Sequence, residues 1–363
     1  MFGHFDDADR ALYDMLPHVS LAGGIDFAAL EKDKSVKSYE VYMPNEEYAF
    51  LHESAIIAYK GVLYASWYNC PSKELHGRTP IRGRRSYDGG ITWSEVETIA
   101  DDPTGRILWC PPVYGIDNGR LYMLINEMVA PDHMHALDLF VLNEETDRFE
   151  MLWSRPIPHK LNTNVVTLPN GRLMLPGRIA ELDGFPNTPS VLISDSGHID
   201  AEWRLVKIAE NGILPDSSSL VHPELSCILD GERVIMFCRN DNRRVPLLYL
   251  SEDCGETWSD PCSCDIPFSN SKIYAGNLSN GGSYVIGSLY PGRSKLAIFF
   301  SETTKPEFTR GVILQNGYSA ELGYGTAWHY PCAYEDDGKL YVIYTVQHET
   351  KGRGAALSVI PLN

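Results

Sequence analysis

The sequence lacks any apolar run near the roughly 18 residues needed to cross a bilayer as a helix. Short runs such as Leu296 to Phe300 are strand-length. Positive charge is scarce: 31 Lys and Arg stand against 48 Asp and Glu, a net charge of −17 over 363 residues. Such a field opposes nucleic acid and anionic lipid, so neither nucleic acid nor a membrane is an expected partner, and an anionic ligand requires local cations. The opening MFGHFDDADRALYDMLPHVS has neither the basic nor the apolar region of a secretory signal, and the chain reads as cytoplasmic. Eight cysteines are scattered without a small-scaffold framework, so free thiols are expected. Cys254, Cys262 and Cys264 have no second pair to complete a metal site, and no phosphate loop, dinucleotide glycine motif or serine-hydrolase elbow is present. Neither metal nor cofactor is expected.

What is present is a repeat. A short extended run, a turn ending in glycine and a second β-rich run recur six times, with turn glycines at 61, 119, 171, 231, 281 and 338, 50 to 60 residues apart. Asn-Gly, Asp-Gly and Lys-Gly between β-branched and aromatic residues are hairpin turns, because glycine tolerates the positive φ they need. Each period accommodates four strands. The pattern predicts an all-β fold: a six-bladed β-propeller over residues 36–363, preceded by an N-terminal extension over 1–35. The last unit has room for three strands only, so the strand-like VKSYEVYM (Val36 to Met43) is expected to supply the fourth and close the ring.

A second motif is sharper. Ser86-x-Asp88-x-Gly90-x-Thr92-Trp93 recurs as Ser251-x-Asp253-x-Gly255-x-Thr257-Trp258, with weaker copies at Ser194, Asp195, Gly197 and Trp203, and at Ser301 and Phe308. Asp and Ser tie the turn, Gly permits the bend and Trp anchors it, so these aspartates read as structural. These are Asp-box (BNR) repeats, and from about Tyr48 onward the chain resembles the sialidase (neuraminidase) superfamily as a divergent member.

In a propeller, the start of each innermost strand and the end of the next gather at one channel mouth. The strand starts bring His52 and Glu53, Trp109, Asn162 and Asn164, His222 and Glu224, Tyr274, and His329 and Tyr330. The strand ends bring Asn69, Asn126 and Glu127, Arg178, Arg239, Tyr290 and Arg293, and Gln347 and His348. Arg178, Arg239 and Arg293 suit bidentate capture of a carboxylate or sulfate. Trp109, Asn164, His222 and His329 are expected to complete the substrate contacts.

The resemblance adds roles. HPELSCILDGERVIMFCRN is similar to the sialidase segment that carries the acidic partner and a triad arginine, which implies those roles for Glu224 and Arg239. SLYPGRSKLAIFFS implies the last triad arginine at Arg293, and HYPCAYEDDGKLYVIY implies the nucleophilic tyrosine at Tyr330. A neutral phenol activated by a glutamate develops charge only as it attacks, which suits a sugar with a carboxylate near its anomeric carbon. Two family features are missing. FLHES, with His52 and Glu53, stands where the first triad arginine belongs, and KELHGRTPIRGRRS offers Glu74, His76 and Arg78 in place of the acid/base aspartate. A proton donor is therefore sought at Glu53, His52 or His76, in that order. The run PDHMHALD, with Asp132, His133, His135 and Asp138, is read as a loop near the site and not as a metal centre.

These features predict an exo-acting hydrolase that releases an acidic, carboxylated sugar from a glycan or oligosaccharide. A uronate lyase on the same site, using Tyr330 or a histidine to move the proton, is the alternative chemistry. A non-catalytic sugar-binding propeller is the third reading. The sequence leaves the sugar, its linkage and the oligomeric state open.

Overall fold

The computed structural model describes residues 3–131, 133–180, 187–349 and 352–362. Six antiparallel sheets follow one another along the chain as the blades of a propeller. Blade 1 runs Phe50–Tyr59, Val62–Cys70, Ile81–Ser86 and Glu97–Ala100, each strand pairing with the next. Blade 2 repeats this from Leu108–Asp117 and blade 5 from Tyr274–Asn277. The innermost strand of blade 3 is split into His159–Leu161 and Val166–Thr167, both on Leu173–Ile179. The six turn glycines all have positive φ, which is why the hairpins recur where a side chain would strain the backbone.

The ring closes as the sequence predicts. Lys37–Tyr42 pairs antiparallel with Gly352–Pro361, becoming the outer strand of blade 6 beside Ala327–Asp336 and Lys339–His348. The preceding residues pack along the outer edges of blades 4 and 5. Leu12 of helix Asp7–Met15 and its C-cap Leu16 join the apolar cluster shared by blades 3 and 4, and His18–Val19 adds a parallel strand to Cys262–Cys264.

The Asp boxes do turn work. Asp88 accepts from the Ile91 and Thr92 amides and the Thr92 hydroxyl, while Ser86 Oγ donates to Asp88 and accepts from Gly90 N. Asp253 repeats the same pattern with Ser251, Glu256 and Thr257. Trp93, Trp203, Trp258 and Phe308 pack into the blade cores. All eight cysteines are buried free thiols.

Asparagine amides clasp the blades at their inner ends. Asn126 donates to His159 O and accepts from Leu161 N, joining blade 2 to blade 3. Asn162 accepts from Leu225 N, joining blade 3 to blade 4. Asn164 accepts from Tyr114 N and donates to Ile56 O, so it ties blades 1 to 3. Each amide satisfies backbone groups that a buried blade junction would leave unpaired.

Candidate functional site

The innermost strands are irregular where they reach the mouth. Register slips between His52 and Ala55 in blade 1, between Trp109 and Pro112 in blade 2 and between His329 and Cys332 in blade 6. At two of these bulges a non-glycine residue has left-handed backbone, Glu53 at φ 48° and Tyr330 at φ 57°. A bulge re-aims its side chain, and both of these residues line one polar pocket of about 270 Å³.

Cations come from successive blades: Lys160 and Arg178 from blade 3, Arg239 from blade 4, Arg293 from blade 5 and Arg353 from blade 6. The acids are Glu53 and Glu74 from blade 1 and Glu224 from blade 4. Among the described residues, blade 2 reaches the lining through Pro131 alone. The pocket is thus cationic over one arc and acidic at blade 1.

Arg239 organises the centre. One guanidinium nitrogen donates to Glu224 Oε2 at 2.8 Å and to the Tyr330 phenolic oxygen at 2.5 Å, and the other pairs with Asp241 at 2.5 Å. Burial pushes the Tyr330 phenol well above its ordinary value and the Glu224 charge adds to this, so Tyr330 is neutral near pH 7. Burial opposes ionisation of Glu224, but Arg239, Lys272 and Arg178 overcome it and hold the carboxyl below its usual range. Arg239, Arg293 and Lys272 also stand over the Tyr330 ring, at 5.8, 5.5 and 5.9 Å from its centroid.

Arg293 differs from Arg239 in having no carboxylate at ion-pair distance among the described residues. Its guanidinium donates to Asn270 O. Burial lowers its pKa, and the nearby charges of Arg239 and Arg353 act in the same direction. Arg353 donates to Gln347 Oε1, stacks on Phe50, and lies 3.9 Å from Glu74.

The remaining predicted residues divide between the pocket and its framework. His52 lines the pocket, with its ring 3.9 Å from that of Tyr330 and Nδ1 2.9 Å from Thr345 Oγ1. His329 stands edge-on behind both rings and does not reach the lining. Burial drives both imidazoles well below their ordinary pKa. His222 lines the rim beside Asp241. Trp109 donates to Asp138 at 3.2 Å within blade 2, and Asn164 is a blade clasp, so neither lies in the pocket lining. His76 is exposed outside the lining, and Arg78 is bound to Asp101. His135 faces Glu127 on blade 2, whereas Asp132 falls outside the described residues. No group of three or more potential ligands gathers for a metal among the described residues. A larger, open cleft of about 580 Å³ lies at the outer edges of blades 1 and 2, where Arg85 is consumed by Glu97 and Asp147.

Residues 61–342 match the family described as BNR repeat-like domain. The chain belongs to this family. No curated protein sequence matches it. Among solved structures, this BNR repeat-like propeller is similar to a Dyadobacter fermentans protein of unknown function, with TM-score 0.72, 15% identity, and coverage of 91% of this chain and 100% of that one. It is similar to a Hadza microbial sialidase with TM-score 0.70 and 13% identity, over 90% of this chain and 68% of that one. It is also similar to the Trypanosoma rangeli sialidase, with TM-score 0.66 and 13% identity over 90% of this chain, and spans 60% of that longer protein. These likenesses establish a divergent sialidase-like propeller fold.

Sequence reading overlooked Lys160, Lys272 and Arg353. Arg353 pairs in register with Gln347, a residue read as reaching the mouth, so extending the strand-end rule to the third strand would have found it. Lys160 and Lys272 each lie two residues before a position that was read as a strand start.

Proposed function

We propose that this protein is an exo-acting glycoside hydrolase that removes a terminal acidic sugar. The observation that carries the proposal is the arginine arc of blades 4, 5 and 6. Arg239, Arg293 and Arg353 line a pocket beside Tyr330 and Glu224, in a chain of net charge −17. A partly desolvated guanidinium without a carboxylate partner among the described residues, as at Arg293, is suited to a ligand carboxylate.

In this reading the Tyr330 oxygen attacks the anomeric carbon while its proton passes to Glu224, and the bond to the leaving oxygen breaks. Arg239 already donates to the phenolic oxygen and so stabilises the phenolate when the second step releases it. The leaving oxygen needs a proton at the mouth. We assign this role to Glu74, which lines the pocket from an exposed loop and accepts from the Tyr68 hydroxyl at 3.1 Å. Water then attacks the glycosyl-tyrosine, giving its proton to Glu74, and Glu224 returns the proton to Tyr330. Neutral His52 against the Tyr330 ring favours a second reading, a lyase in which the imidazole accepts the proton adjacent to a uronate carboxylate.

The test is incubation with sialosides, uronic-acid oligosaccharides and neutral glycans. The proposal requires release of a terminal acidic monosaccharide and no cleavage of the neutral set. Release of neutral sugars alone would overturn it.

A further inference from the structure

One buried charged pair joins the pocket-lining Glu53, to which this chemistry gives no role, to Lys272. Glu53 is 5% exposed and Lys272 6%, and Lys272 Nζ donates to Glu53 Oε2 at 3.4 Å. They come from different blades, Lys272 from the entry to blade 5 and Glu53 from the bulge of blade 1, with blade 6 lying between these two in the ring. Among the described residues, Glu53 Oε1 receives one weak donor, the Cys110 thiol, at 3.7 Å. Burying such a pair is expensive, and so is the left-handed backbone at Glu53, yet the side chain lines the pocket, at blade 1 beside the blade 6 end of the arginine arc.

A carboxylate accepts hydrogen bonds at about four lone-pair positions, and Lys272 and Cys110 leave part of that capacity unused. Lys272 fixes the carboxylate in place. We infer that Glu53, positioned by Lys272, accepts hydrogen bonds from free ring hydroxyls of the substrate. The substrate class is then a single hexuronate ring with unsubstituted hydroxyls facing blade 1. The pocket's small size agrees with one ring, because 270 Å³ lies below the ~300–1,000 Å³ usual for drug-sized ligands. This inference rests on the acidic-sugar reading above.

The test is calorimetric titration of the wild type, Glu53→Gln and the charge-neutral double variant Glu53→Gln/Lys272→Gln. The probes are D-glucuronate, its C4 epimer D-galacturonate, its C2 epimer D-mannuronate and N-acetylneuraminate. The wild type should prefer one uronate over an epimer by about 10- to 100-fold, the worth of a hydrogen bond to a charged group. That preference should collapse towards unity in both variants, while binding to the arginine end persists. The double variant replaces both charges with neutral amides, so neither charge is left unpaired, and its folded state can be verified by its thermal transition. An epimer ratio unchanged in folded Glu53→Gln would overturn the hydroxyl role alone, and preference for N-acetylneuraminate over every uronate would overturn the ring class. Failure of the wild type to bind any acidic sugar would overturn the acidic-sugar reading and this inference with it.

Discussion

The Arg239 guanidinium donates to the Tyr330 phenolic oxygen at 2.5 Å from the same nitrogen that holds Glu224 at 2.8 Å. The phenol therefore has an accepting oxygen already oriented and a proton still to give. Tyr330→Phe keeps the ring and its three overlying cations but removes the nucleophile. Turnover should fall roughly 10³-fold or more while stabilisation by a bound acidic sugar is retained. Paired rate and thermal-shift measurements check this, and unchanged turnover would remove Tyr330 from the reaction.

The same arrangement makes a stability prediction. Arg239 and Glu224 are both buried, with side chains 8% and 3% exposed, so Arg239→Met strands a carboxylate in the interior. The loss should be about 3–5 kcal/mol in urea denaturation. Arg239→Met/Glu224→Met should recover the share due to Glu224, while the loss of the Arg239–Asp241 pair remains.

Three buried histidines set a pH dependence. His52 and His329 are held well below their ordinary pKa by burial, and His159, buried between Ser190 and Leu175 O, is lowered to about 3. Below about pH 6.5 the unfolded chain binds protons that these folded imidazoles refuse. Stability is therefore complete above that pH and declines as pH falls, by about 1.4 kcal/mol per unit for each such histidine. Urea midpoints at about pH 7.5 and about pH 5 should show the decline, and His159→Gln should make it shallower. An equal slope in the variant would contradict the assignment for His159.

Asp253 is a turn residue, as its bonds to the Glu256 and Thr257 amides and to both neighbouring hydroxyls show. Asp253→Ala should lower stability by about 1–2 kcal/mol and leave kcat and KM unchanged. A kinetic defect without a stability defect would reverse that reading.

Closure by Lys37–Tyr42 gives a fourth structural expectation. Removing residues before Tyr48 exposes the outer edge of Gly352–Pro361 and should abolish the cooperative thermal transition. A truncated protein with the full transition would show that the ring holds without its clasp.

The fold was legible because its signals are local. The six glycines need positive φ, and two complete Asp boxes mark outer turns, so spacing alone gave the blades. The mouth was only half legible. Glu53, Arg178, Glu224, Arg239, Arg293 and Tyr330 fall at strand flanks and reach the pocket. Asn164 falls at the same kind of flank, but its short amide is drawn to the Tyr114 and Ile56 backbones, a contact between blades that no single repeat displays. Arg353 escaped notice because it enters on a third strand, by its pairing with Gln347. The Glu53–Lys272 pair joins residues 219 apart, a relationship that only the closed ring creates.

The most direct test of the hydrolase assignment is mass spectrometry of products formed in heavy-oxygen water from sialosides and uronic-acid oligosaccharides. The account predicts heavy oxygen at the anomeric hydroxyl of a released acidic sugar. An unsaturated acidic fragment without the label would contradict it, making the reaction an elimination.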